Sequence, residues 1–538
     1  GARTRAHRPV PPGIATESWV RDLSCSMAAR FNILHGEDED LAERLDAGAE
    51  RPIGPRRLLA RVLGASAVAG VAAAGLLHLA PGLRTRVTGL GAVQVKAAAP
   101  ALAPEEAQER FQARKKLGIQ QDLSSYVTAH LPSGAKPNEG HSPEEAAGAL
   151  FDHVVEESSL KDELTEAELA AFRSRFVDEV SAVAKEDEGT RGWSLKYLKI
   201  AQAALESQKP VVTEAVVKSV NALNLGFTAK LEDWMLPESK ELFRQRLGRM
   251  PMTKGQIKKL TKEGRIPAKS REVAPSSGSA LPMAWDAREE WPECAEVIGR
   301  IHNQGHCGSC WVFGALGPLD SRMCIKSRDA PEHFVGDSAM LSRGFAASCS
   351  IPDHDGCQGG WEYLVYDYIE NQGGVPSTAC SPYFASGPGS EHFEETQVAP
   401  ECPSACVAGY PRGLAHDLFQ PKGVATYNII VEPTLAEVEY VKQQMLGGGP
   451  VSFAFAVIDE FFAYESGVFN LGCGEQPNHA VHTIGWGDGY LLAQNSWSAD
   501  WGDKGRFKIA LCIPYEFTIP GDFPGDNLGP LPLPSSQK

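Results

Sequence analysis

The chain has 538 residues, 43% of them hydrophobic, and a formal net charge of -16. That length exceeds one usual domain and the apolar fraction can supply a sizeable core, so two or more units are expected. The acidic balance disfavours a phosphate-backbone partner, and no nucleic-acid role is assigned. Eleven of the twelve cysteines fall between Cys294 and Cys512, with Cys25 alone near the other end, a density that suits an oxidising compartment.

The first distinctive element is Val62 to Leu77, uncharged and rich in Ala, Gly, Val and Leu, with Arg56, Arg57 and Arg61 before it and Arg84 and Arg86 after. Extended to Leu83 it reaches about the twenty residues needed to cross a bilayer. Residues 56–86 are therefore a candidate signal anchor or transmembrane segment, the alternative being a buried Ala-rich helix. If it spans, its preceding arginines favour residues 1–55 in the cytosol, with Cys25 reduced, and everything beyond about residue 85 in a lumen.

From about residue 100 to residue 210 the chain is Ala- and Glu-rich. Ser142-Pro143-Glu144-Glu145 and Thr165-Glu166-Ala167-Glu168 are capping-box patterns that open helices. Leu169, Phe172, Phe176 and Val180 recur on one helical face, a packing stripe. Val211 to Met250 holds Gly226-Phe227, Trp234 and a basic run around Arg244 to Arg249. Residues 262–280 are rich in Lys, Arg, Pro, Ser and Gly without apolar period, the composition of an exposed linker open to proteolysis. Residues 521–538, Pro- and Gly-rich, read as a flexible tail.

Chemistry concentrates at Gln304-Gly305-His306-Cys307-Gly308-Ser309-Cys310-Trp311, with Asn478-His479 and Asn495-Ser496-Trp497 far downstream. A thiol attacks a carbonyl only as thiolate, so it needs a helix amino terminus and an imidazolium nearby. The apolar run from Trp311 predicts a buried helix with Cys310 at its amino end. An odd count of eleven cysteines leaves one thiol unpaired, and Cys310 is the natural one. His482, three residues beyond His479, is the competing base.

These motifs resemble those of papain-family cysteine peptidases, and Leu281-Pro282-Met283-Ala284-Trp285-Asp286-Ala287-Arg288 resembles the mature amino terminus of cathepsin B. The long amino-terminal half resembles that of coccidian cathepsin B-like zymogens. The resemblance implies an α+β fold in which residues 281–520 form a two-lobed catalytic domain. One lobe is helical and carries Cys310; the other is β-barrel-like and carries His479 and Asn495. Residues 87–261 would be a mostly helical pro-region that blocks the cleft until the 262–280 linker is cut.

By the same resemblance Cys310 is the nucleophile, His479 the base and acid, Asn495 the group that orients the imidazole, and Trp497 its cover. Gln304 and the Cys310 N–H would hold the oxyanion. Gly359 and Gly360, in Cys357-Gln358-Gly359-Gly360-Trp361, would line a substrate strand, with a tight turn as the alternative. Implied disulfides pair Cys294 with Cys324, Cys307 with Cys357, Cys349 with Cys402 and Cys380 with Cys406. The remaining Cys473 and Cys512 are paired at a spacing closer to cathepsin L. His479 and Asn495 lie farther past Cys310 than the roughly 130 to 150 residues typical of papain, as the extra loop of cathepsin B-type enzymes requires.

The likeness to cathepsin B frays at its occluding loop. Gly387 to Glu401 is short and reads Ser390-Glu391-His392-Phe393, so His392 is kept while its partner histidine is an aromatic. Asn303 stands where a loop-anchoring Asp is expected, and a neutral amide cannot pair with an imidazolium as a carboxylate does. Endopeptidase activity with weak carboxydipeptidase activity is expected. Glu516 is either the acid at the floor of the main specificity pocket or an exposed turn carboxylate.

Cys307-x-x-Cys310 also occurs in zinc sites and thioredoxin-like proteins, but no second ligand pair or βαβ pattern accompanies it. No metal and no cofactor are expected. The alternative of a different class is a non-catalytic peptide-binding homologue. Expected partners are peptide substrates, the chain's own pro-region as inhibitor and a membrane through the anchor, with the protein itself a monomer. An endolysosomal, vacuolar or secretory-organelle lumen is the expected location.

Overall fold

The computed structural model describes residues 103–113, 123, 142–186, 195–263, 280–330, 333–336, 339–351, 355–384, 398–425, 427–525 and 528–529. All of these belong to one compact unit, residues 94–538. The arm with Cys25, the candidate anchor, residues 264–279 of the linker and His392 lie outside the described residues. Among the described residues no helix is long and apolar enough to cross a membrane.

The amino-terminal region is helical: α1 (Pro104–Ala113), α2 (Pro143–Glu157), α3 (Glu166–Glu186), α4 (Leu195–Ser207) and α5 (Glu214–Leu223). Each capping box closes as its sequence pattern implies. The Ser142 hydroxyl accepts from the Glu145 N–H at 3.2 Å while the Glu145 carboxylate accepts from the Ser142 N–H at 2.8 Å. Thr165 and Glu168 do the same at 3.3 and 2.7 Å. The second oxygen of the buried Glu168 accepts from the Glu214 N–H at 2.8 Å, so one carboxylate serves the first turns of both α3 and α5.

Phe172, Phe176 and Val180 of α3 are buried with Phe151 of α2 and Ala201, Ala204 and Leu205 of α4, with Leu169 packed at the edge. This core is separate from the two that follow.

The next core carries the candidate nucleophile. Around α6 (Cys310–Ser327) and α7 (Glu362–Asn371) pack Trp311, Leu316, Leu319, Met323, Tyr366 and Ile369, the centre of a helical lobe. The other lobe is a sheet with β2 (Asn428–Val431), β3 (Val451–Phe455), β4 (Tyr464–Phe469), β5 (His479–Gly487), β6 (Tyr490–Gln494), β7 (Arg506–Ala510) and β8 (Glu516–Ile519). With β1 (Phe227–Ala229) from the amino-terminal region the order is β1-β4-β7-β6-β5-β3-β8-β2, antiparallel except at β4–β7, and Trp285–Asp286 also pairs with β5. The core of that lobe holds Phe453, Phe455, Phe461, Phe507 and Phe517, and shares its cluster with Val216, Val220, Phe227 and Phe243 of the amino-terminal region.

Two features join the lobes. Cys310, Gly314 and Gly317 lie on one face of α6 by helical spacing. A Cβ at Gly314 would come 3.3 Å from that of Ala480, and one at Gly317 would come 2.5 Å from the His482 ring. The helix therefore rests directly on the start of β5, which sets Cys310 beside the His479 end of that strand.

Candidate active site

Cys310 opens α6 fully buried and is the free cysteine among the described residues. The ten other described cysteines pair as Cys294–Cys324, Cys307–Cys357, Cys349–Cys402, Cys380–Cys406 and Cys473–Cys512. The Cys307–Cys357 bridge ties the turn before the helix to the turn carrying Gly359 and Gly360.

His479 opens β5, and its Nε2 lies 2.9 Å from Asn495 Oδ1. The Ser496 N–H donates to the same oxygen at 2.9 Å. A backbone N–H can only donate, so that atom is the amide oxygen and His479 Nε2 must carry its proton. The neutral imidazole thus keeps its lone pair at Nδ1. Trp497 covers the pair, its ring 4.8 Å from the imidazole and stacked on Phe462 at 5.4 Å. His482 sits on the same strand but packs over Gly317.

Gln304 is held by its own backbone N–H on the Ser496 carbonyl at 2.8 Å and by the Ser496 hydroxyl donating to its Oε1 at 2.6 Å. Its Nε2 donates to the carbonyls of Cys307 at 2.7 Å and of Arg246 at 2.9 Å. The second acceptor comes from the amino-terminal region. A peptide carbonyl therefore occupies the position to which this amide donates.

The segment Arg246–Met250 fills the groove between the lobes. The Gly248 N–H points at Cys310 Sγ at 3.3 Å, the Gly248 carbonyl accepts from the Gly360 N–H at 2.9 Å, and the Arg249 N–H donates to the Asn478 carbonyl at 3.0 Å. Both lobes thus grip the backbone, one through Cys310 and Gly360 and the other through Asn478. The segment offers the sulfur a donor, not a carbonyl carbon. Only glycine fits at 248, since a Cβ would come 1.6 Å from the Gly308 carbonyl oxygen; one at Gly359 would come 2.5 Å from that of Gly248.

This cover reverses the expected electrostatics. Burial pushes the Cys310 thiol up to about 12, against the amides of Ala480 and Gly248 that favour the thiolate. Burial also brings His479 down to about 4, against its bond to Asn495. The two groups rest as neutral thiol and neutral imidazole, because a thiolate–imidazolium pair has no water to solvate it. The helix amino terminus alone does not outweigh that.

Beside the thiol, the Arg249 side chain is completely buried between two carboxylates. Its Nε donates to Glu362 Oε2 at 2.7 Å and its Nη2 to Glu516 Oε1. Glu516 therefore lies in the interior of the groove wall, on β8, rather than in an exposed turn. Burial raises Glu516, Arg249 opposes and Glu362 adds to the rise; one guanidinium does not neutralise two buried carboxylates. A third contact closes on the rim, where Glu238 pairs with Arg246 at 2.9 Å and both reach His306 Nε2 at 2.9 Å.

The cleft roles of Glu362, Glu238, Arg246, Gly248 and Arg249 escaped the sequence reading, which noted only a basic run around Arg244 to Arg249. The signal that would have found Glu362 is its position immediately after Gly359-Gly360-Trp361, where a helix start turns a side chain into the groove.

The papain family cysteine protease profile matches residues 281–513. A cathepsin B-like cysteine proteinase of Schistosoma japonicum is 33% identical over 249 residues, 43% of this chain and 68% of that protein. The chain belongs to the papain family of cysteine proteases. A gut-specific cysteine proteinase of Caenorhabditis elegans is 32% identical over 254 residues, 45% of this chain and 72% of that one. Among solved structures, procathepsin B S9 from Trypanosoma congolense matches with 24% identity and a TM-score of 0.45, over 58% of this chain and all of that one. This protein is a cathepsin B-like, papain-family cysteine peptidase of α+β fold, and the segment Arg246–Met250, which precedes the matched residues 281–513, occupies its cleft.

Proposed function

We propose that the protein is a zymogen of a cysteine endopeptidase in which Cys310, His479, Asn495 and Gln304 carry out hydrolysis. The observation that supports this most is the seating of a peptide segment at two of these groups, with Gly248 at the sulfur and the Arg246 carbonyl at Gln304. Once that segment leaves, water returns and the Cys310 proton can pass to His479 Nδ1. The thiolate attacks the substrate carbonyl carbon, and the oxyanion takes the place of the Arg246 carbonyl oxygen. Its donors are typically worth about 2.7 to 4 kcal/mol each. The C–N bond then breaks as His479 returns the proton to the departing amine, and water attacks the thioester with His479 again as base.

Gly359 and Gly360 line the strand-like substrate, Trp497 shields the His479–Asn495 bond, and Glu516 faces the pocket beside the thiol. Activation would follow cleavage within 262–280, freeing the domain 281–520 from the pro-region 87–261. The expected flexible tail does not begin at 521, because Phe523 and Leu528 are buried in the core of the helical lobe and hold the chain there. The short Gly387 to Glu401 stretch with His392, and Asn303 in place of an acid, favour internal cleavage over removal of carboxy-terminal dipeptides. A disulfide-rich domain suits a secretory or endolysosomal lumen, with residues 56–86 as the anchor and 1–55 in the cytosol before processing.

The test is covalent labelling by an epoxide thiol-peptidase inhibitor together with peptide hydrolysis. Labelling at Cys310 and turnover are expected after pro-region removal and neither from Cys310→Ala; a processed protein that binds peptides but does neither is a non-catalytic homologue. Substrates with amidated ends should be cut faster than those with a free carboxyl. Equal rates would overturn the endopeptidase preference.

A further inference from the structure

The two residues that bring the oxyanion donors into place share a further partner. The Tyr383 hydroxyl donates to the Gln304 backbone carbonyl at 2.9 Å and lies 2.8 Å from Ser309 Oγ. A carbonyl can only accept and a phenol has one proton, so the Ser309 hydroxyl must be the donor to Tyr383. The chain of bonds therefore runs from Ser309 through Tyr383 to Gln304. Ser309 directly precedes Cys310, whose N–H is the second donor beside the Gln304 side chain.

Tyr383 delivers that oxygen from a firm mount. All three residues are buried. The Tyr383 ring meets Phe313 of α6 edge-on at 5.1 Å and packs on Phe384 at 4.6 Å. Three residues earlier, Cys380 is bridged to Cys406, and a Cβ at Gly344 would come 2.7 Å from the Pro382 carbonyl oxygen, so the backbone is backed closely from behind. Burial pushes the hydroxyl up, and the neighbouring Cys310 adds to the rise; the phenol keeps its proton and stays a donor to Gln304. Ser496 orients the Gln304 amide, while Tyr383 holds the main chain from which that amide projects.

We propose that Tyr383 is a positioning residue for the oxyanion site, its hydroxyl fixing Gln304 and the Ser309–Cys310 turn so that their two N–H groups converge on one oxygen. Donors set in advance stabilise developing charge without reorganising during the reaction. Tyr383 acts through Gln304 and Ser309, so its removal should weaken the transition state more than substrate binding. The inference rests on the cleft being a peptidase site, and its test separates the two.

The experiment compares the processed wild-type enzyme with Tyr383→Phe, which keeps the ring and removes the oxygen, on a fluorogenic peptide amide with active sites counted by epoxide titration. Per titrated site, kcat should fall by about five- to tenfold with KM within about twofold. Affinity for a peptide aldehyde, whose hemithioacetal oxygen takes the oxyanion position, should weaken by the same factor. A role in packing alone would lower the number of titratable sites and leave each site at full kcat. In a Gln304→Ala background the further loss from Tyr383→Phe should be smaller than it is alone, since one of the two donors it positions is already gone. If Tyr383→Phe gives no titratable sites, Ser309→Ala breaks the other end of the chain and decides by the same split, with kcat down about threefold. An unchanged kcat per site, a loss confined to KM, an unaltered aldehyde affinity or an undiminished effect in the Gln304→Ala background overturns positioning by Tyr383 while leaving the peptidase intact. Absence of both titration and turnover in the wild type overturns both.

Discussion

The Gly248 N–H meets the Cys310 sulfur at 3.3 Å, and a Cβ on Gly248 would come 1.6 Å from the Gly308 carbonyl oxygen. The inhibitory contact therefore depends on one hydrogen atom in place of a side chain. Gly248→Ala should lift the segment from the sulfur without touching the catalytic domain's own residues. The uncut variant is expected to react with an epoxide inhibitor at Cys310 at least about tenfold faster than the uncut wild type, since the clash involves backbone that cannot rotate away. Labelling within twofold of wild type would mean the segment seats by another route.

Burial sets the state of the thiol. With Cys310 pushed up to about 12 and His479 brought down to about 4, the intact zymogen holds a neutral pair at pH 5 to 9. Its alkylation by iodoacetamide should be slow at pH 7 and still climbing at pH 10. After pro-region removal the rate should be high and nearly flat above pH 6, as an ion pair replaces the neutral one. Rate profiles of the two forms that superimpose would show that the cover does not control the thiol.

The nucleophile, its imidazole and its amide were legible because each stands in a motif with a chemical reason: Cys310 at a helix start after two small residues, His479 at a strand start, Asn495 before Trp497. The same holds for the capping boxes at Ser142 and Thr165, where the pattern is local. The cleft contacts of the amino-terminal half were not legible. Gly248 and Arg249 act on Cys310, Glu362 and Glu516, which lie far away in sequence, and a basic run near residue 249 looks like any solvated run until a partner is in place. The thiol's neutral state under this cover was not legible for a related reason. A helix dipole is visible in sequence, but desolvation by a distant segment is not.

Gln304 donates to a carbonyl already, that of Arg246, and its orientation is fixed by Ser496. Gln304→Ala in the processed enzyme should lower kcat by about 10²- to 10³-fold with KM little changed, because a donor aimed at the oxyanion acts chiefly in the transition state. Ser496→Ala, which leaves the amide present but frees its Oε1, should give a smaller loss of the same kind. A change confined to KM for Gln304→Ala would place the residue in ground-state binding.

The rim contact carries its own pH dependence. Burial raises Glu238, but Arg246 and His306 outweigh it and bring the carboxyl down to about 2. A carboxylate depressed on docking contributes stability that is complete above its undocked value of about 4.3 and is lost as pH falls from there through about 2. Docking of the pro-region should weaken as pH drops from 5 to 3. Glu238→Gln removes the titrating group and leaves Arg246 buried without its partner, so the variant should dock less tightly at pH 6 and lose less on acidification. The measurement is inhibition of the processed enzyme by added pro-region, wild type against Glu238→Gln, from pH 3 to 7. Parallel pH profiles for the two would show that Glu238 does not supply the acid sensitivity in that window.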